Sequence, residues 1–133
     1  MLRLVAMSIF GLMFLAEVGD IYGLVLTLAS PETAADRFGI AAGTEVVRSS
    51  VLLIFALLVA GGALLAVVGL LARLPLLFHR SALACAVGYL AYGVFQVADG
   101  ALQVRAGIVV VAGLIYIMLG GIAFAMHRST RSG

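Results

Sequence analysis

The chain has 133 residues, 65% of them hydrophobic and 11% charged, with a mean hydropathy of +1.26, against roughly 45 to 50% apolar and about 25% charged in a soluble domain. A water-soluble globule is excluded, and because one bilayer-spanning helix takes about 20 apolar residues, four spans with short loops use up the length. The formal net charge of +2 comes from arginine alone set against six acids, with no basic block, so there is no nucleic-acid footprint.

The first span is expected over about residues 4–28. Met1-Leu2-Arg3 could open a secretory signal, but the apolar character runs on to Ala29 with no small-x-small cleavage site before Glu17, so the segment reads as a retained helix. Its thirteen Leu, Ile, Val and Phe residues contribute roughly −4 to −8 kcal/mol to insertion, while two central acids, Glu17 and Asp20, cost about 5 to 7. The sum is near zero, so insertion requires that other helices shield the acids.

A loop segment over 30–48 follows on the outer side. Within it Ser30-Pro31-Glu32 has the pattern of an N-cap followed by proline at the first helical position, and Gly39 would end that short segment. Phe38 and Ile40 beside Asp36 and Arg37 suggest that it lies along the membrane surface. Uncharged runs then predict spans over about 50–73, 82–102 and 106–127. A short basic loop over 74–81 and a tight turn at 102–105 connect them. The expected fold is all-α, a single four-helix transmembrane domain over 1–133. Arg3, Arg73, Arg80, Arg128 and Arg131 lie at one end, against Arg37, Arg48 and Arg105 at the other. That imbalance orients both termini to the cytoplasm of a bacterial-type inner membrane.

Helix packing should rest on small residues, since lipid provides no hydrophobic drive for association. Gly62 with Ala66, Ala84 with Gly88, and Gly121 with Ala125 have small-x-x-x-small spacing, and Gly113 and Gly120 share one face of the last span. Contacts within one bundle are the plainer reading; a dimer seam is the other. Cys85 lies alone in an apolar run and reads as a small packed side chain.

Ionisable groups in hydrocarbon are the most informative, because each costs at least about 2.5 kcal/mol unless paired, hydrated or neutralised. Glu17 and Asp20 share a helical face, and Gln96 and Asp99 have the same spacing in the third span. Counted from the expected helix starts, the two pairs stand level. Tyr89, Tyr92, Gln96, Asp99 and Gln103 form a polar and aromatic stripe. Arg48 and Arg105 could reach the acids by snorkelling. The expectation is one polar pocket in the outer half of the bundle, built from Glu17, Asp20, Tyr89, Tyr92, Gln96, Asp99, Arg48 and Arg105. It serves either as a satisfied network that fixes packing, as a proton- or cation-linked site at Glu17, or as a contact for a partner. His79 and His127, at the cytoplasmic helix ends, read as solvated or headgroup contacts. No phosphate loop, Cys/His metal set or nucleophile elbow is present, so neither catalysis nor a cofactor or metal is expected.

In layout, and in the connection Ser30-Pro31-Glu32-Thr33-Ala34-Ala35-Asp36-Arg37-Phe38-Gly39-Ile40, the chain resembles the small four-helix DoxX-like membrane proteins. That resemblance implies a non-catalytic accessory or assembly subunit, with other membrane proteins or a second copy as partners beside the bilayer. Leu15-Ala16-Glu17-Val18 is similar to the first-helix segment around the essential glutamate of the small multidrug resistance family, and Gly113 with Gly120 to its glycine dimer face. This second resemblance implies a proton-coupled transporter of small cations using Glu17. The chain departs from that family in its long first loop, in Asp20 and Asp99, and in having no Trp.

Overall fold

The helices run longer than the uncharged stretches that mark them. In the computed structural model, which describes residues 1–131, α1 covers Leu2–Ala29, α2 Pro31–Phe38, α3 Ala42–Leu71, α4 Pro75–Ala98 and α5 Gly107–Arg131, with a π-helical turn over Asp99–Gln103 continuing α4. The side chain of Arg131, counted above with the basic end, lies outside the described residues. Helices α1, α3, α4 with its π turn, and α5 are long and apolar enough to cross a bilayer. The protein is an all-α, multi-pass membrane protein of four spans.

Two expected boundaries move, each for a physical reason. The second span begins at Ala42 rather than near 50, because Glu45 and Arg48 are buried and paired inside the helix instead of being excluded from it. The third begins at Pro75 rather than 82. Proline is compatible with the first helical position, where no N–H is required, so the basic stretch 75–81 is helix rather than loop. Only a tight turn joins α3 to α4. It is closed by Ala72 N–H to Val68 O and Leu74 N–H to Gly69 O, both at 2.8 Å. Arg73 sits between them in the left-handed region at φ 56°, where a helix terminus favours glycine. Between α1 and α3 the expected short helix forms as α2 and ends at Gly39, φ 68°. Ser30 gives no side-chain cap there; its N–H instead closes α1 on Leu26 O and Thr27 O, both at 3.2 Å.

Helix α3 lies against α1 and α4, and α5 lies along α4. α1 meets α5 only sparsely, and its backbone does not approach α4, its diagonal neighbour. The core is built largely from small residues, among them Ala6, Val59, Ala63, Ala66, Ala82, Cys85, Ala86 and Ala123, with Phe10 edge-on to Phe78 at 5.8 Å. Cys85 is buried there, its thiol directed at Val59 O. Large aliphatics face outward on every span, for example Leu12, Ile54, Val87 and Leu114, as expected of helices whose solvent is lipid.

Glycines set the closest approaches. A Cβ on Gly113 would stand 2.7 Å from Gly93 O and Val97 N, and one on Gly62 would stand 3.3 Å from Cys85 N. Gly88 faces Leu58 and Val59, and Gly120 faces Leu90 and Ala86 O. Gly121 is the exception: it is exposed with open space around it, and Ala84 and Ala125 face outward with it. Two i,i+4 small pairs therefore have an outward member. The α4–α5 seam instead uses Gly113 and Gly120, which lie a heptad apart on a face of α5 turned by about a quarter turn from Gly121.

Candidate functional site

The single expected pocket resolves into two polar clusters at different depths, and the early start of α4 explains why. Counted from the observed starts, Glu17 lies 15 residues past Leu2 and Tyr89 lies 14 past Pro75, so these two are level. Gln96 lies 21 past Pro75, roughly 9 Å further toward the outer end at 1.5 Å per residue, and Asp99 is offset from Asp20 by the same amount.

The outer cluster joins α3 to the π turn. Arg48 donates from Nε to Asp99 Oδ2 at 2.5 Å and from Nη1 to both oxygens of Glu45 at 3.2 and 3.1 Å. Ser49 Oγ donates to Glu45 Oε1 at 2.9 Å, and the Phe38 ring of α2 stands 4.9 Å from the guanidinium carbon. All four polar residues are buried. The helical spacing of Glu45 to Arg48 and Ser49 brings the three onto one face, and the π turn carries Asp99 inward, with Val104 N–H bonded to Asp99 O at 2.9 Å. Two carboxylates share one guanidinium, and Asp99 Oδ1 is buried without a hydrogen bond. This is a clasp between helices, with its polar groups largely satisfied from within.

The deeper cluster differs in kind. Glu17 is 0% exposed and neither carboxyl oxygen has a hydrogen-bond partner. Asp20, Tyr89 and Tyr116 lie around it. Tyr116 donates to Asp20 Oδ2, while the buried Tyr89 hydroxyl has no partner. The three tyrosine rings pack together, Tyr92 to Tyr116 at 4.3 Å and Tyr89 to Tyr116 at 5.6 Å between centroids. Glu17 thus looks onto an aromatic wall that α4 and α5 hold in place. A groove of about 380 Å³ between α1 and α5 leads to this wall, lined by Ile9, Leu12, Met13, Ala16, Leu119 and Ile122 with Tyr89 on its inner side.

Of the expected pocket, Glu17, Asp20, Tyr89 and Tyr92 come together in the deep cluster, and Arg48 with Asp99 in the outer one. Gln96 is half-buried, its Oε1 without a partner. Arg105 belongs to neither cluster. It is exposed, with φ 50°, in the turn after the π helix, which directs its chain away from the bundle interior. Glu45, Ser49 and Tyr116 were not among the expected residues. The i,i+3 and i,i+4 spacing of Glu45, Arg48 and Ser49 was a readable signal for two of them, and the lone tyrosine of the last span was the signal for the third. His127 is buried rather than solvated, its ring edge-on to His79 at 5.5 Å. Among the described residues no group of three or more His, Cys, Asp or Glu could hold a metal ion.

A carboxyl and a hydroxyl, buried and unpaired beside three aromatic faces, form a site that can take a cation: charge is met by the carboxylate and by the negative faces of the rings. Comparison with family models, with curated proteins and with solved structures finds no match to this chain.

Proposed function

We propose that this chain is a multi-pass protein of a bacterial-type inner membrane, both termini cytoplasmic, that binds a lipophilic organic cation at Glu17 in exchange for a proton. The observation that carries the reading is the Glu17 carboxyl, fully buried with both oxygens unpaired. An isolated carboxylate in a low-dielectric interior is too costly to persist, so the group holds either a proton or a counter-cation. Exchange between the two is the elementary step of proton-linked binding: the carboxylic acid loses its proton as the cation arrives. The proton passes to water, and Asp20, half-buried and held by Tyr116, stays on the same face of α1 one turn away. Tyr89, Tyr92 and Tyr116 supply the ring faces. The five arginines at the end that holds both termini, against three at the other, support the orientation.

Calorimetric titration of the detergent-solubilised protein with tetraphenylphosphonium tests this. Binding should release one proton and so tighten by about tenfold per unit rise in pH. Glu17→Gln should abolish binding while melting at the wild-type temperature. Equal binding by Glu17→Gln, or none by the wild type, overturns the reading. If, in addition, a larger membrane protein co-purifies in fixed stoichiometry, the role of an accessory subunit takes its place.

A further inference from the structure

At the opposite end of the bundle from the Glu45–Arg48–Asp99 clasp, a second cavity of about 430 Å³ opens between the start of α1 and the α3–α4 turn. Its apolar side is formed by Leu2, Leu70 and Phe78, and its polar side by Arg3, Arg73 and His79. The six acidic side chains of the chain are Glu17, Asp20, Glu32, Asp36, Glu45 and Asp99, and none lies at this end, so among the described residues no side-chain carboxylate answers the arginines. Arg3 is fixed in place, donating from Nε and Nη2 to Leu70 O at 2.9 and 2.5 Å. Those bonds leave Nη1 for a ligand. Two helices also begin here, α1 and α4, neither with a side-chain cap on its first turn, and the positive ends of their dipoles add to the same field.

Arg73 is the more telling residue. It holds a left-handed backbone, φ 56°, at a helix terminus where glycine is favoured, a conformation that is unfavourable for a residue with a Cβ. Nothing in the local fold needs a guanidinium at that position, whereas an anion in the cavity would.

We propose that this cavity binds the phosphate of an anionic phospholipid. Arg3 and Arg73 take the headgroup, and an acyl chain follows Leu2, Leu70 and Phe78 toward the bilayer. The position at the membrane end of three spans favours a lipid over a free solute, since basic recesses between spans at such depths meet headgroups.

Native mass spectrometry of the whole protein, titrated with phosphatidylglycerol or phosphatidylcholine, reads the site directly. One phosphatidylglycerol should be retained, with phosphatidylcholine at least tenfold weaker. Arg73→Gly removes the charge while relieving the backbone, so it should fold at least as well and lose that selectivity. Arg80→Gln, an equal loss of charge on an exposed side chain outside the cavity, should keep it. Undiminished selectivity in Arg73→Gly, or an equal loss in Arg80→Gln, overturns the proposal. So does displacement of the lipid by inorganic phosphate at equal concentration, which would make the ligand free phosphate.

Discussion

Arg48 is the residue on which the outer half of the bundle turns. Its guanidinium is shared between Glu45 and Asp99, and all three are buried. Removing the cation leaves two carboxylates facing each other without water. Breaking such a set by deleting one member typically costs about 3 to 5 kcal/mol, most of it the penalty of the charges left behind rather than the worth of the bonds. Arg48→Met should therefore lower stability by about that amount in a detergent unfolding titration. Adding Glu45→Gln and Asp99→Asn to the same chain should restore most of the loss, because the neutral side chains no longer need the cation. A loss below about 1 kcal/mol in the single variant would show that the clasp is hydrated and structurally incidental. Glu17 poses the opposite case. It has no partner to lose, so its neutralisation should be silent for folding and visible only in binding, and the same measurement on Glu17→Gln separates the two clusters by role.

At the scale of helices, the α4–α5 seam depends on backbone contact. An alanine at Gly113 would place its Cβ 2.7 Å from both Gly93 O and Val97 N. Backbone atoms cannot rotate aside, so the helices must part, and overpacking of this kind costs about 1 to 3 kcal/mol. Gly113→Ala should lower the melting temperature in detergent, whereas Gly121→Ala, with nothing within 4 Å of its Cβ, should leave it unchanged or slightly raised. Equal melting of the two variants would refute the seam. The sequence made the glycines conspicuous but not their facing: Gly113 and Gly121 differ only in which side of α5 they occupy, and in a helix apolar all round, hydropathy cannot tell core from lipid. The four spans were legible because length and hydrophobicity alone determine them. Their starts were not, since a basic stretch after Pro75 and a Glu-x-x-Arg pair at Glu45 and Arg48 look like loop until the partners that bury or pair them are known. Those missed starts shifted the register of α4 by about two turns and merged two polar clusters into one.

Over the whole molecule, the arrangement of α1 is uneven in a way that bears on how a ligand reaches Glu17. The helix is held along α3, tied at its beginning by Arg3 to the end of that helix, and tied at its middle by the Tyr116 hydroxyl on Asp20. Against α5 it makes few other contacts, and the groove with Ala16 on its wall occupies that seam. A seam open sideways admits a lipophilic cation from the bilayer, where such molecules concentrate, without passage through either aqueous face. Ala16 is exposed, so a phenylalanine there meets only the groove and lipid. Ala16→Phe should slow both association and dissociation of a fluorescent lipophilic cation by at least tenfold in stopped-flow measurements on nanodiscs, with Kd unchanged, because an obstructed passage alters the path and not the site. Unaltered rates would mean that the cation arrives from water along the bundle axis. A weaker Kd with unaltered association would mean instead that the groove is part of the binding surface itself.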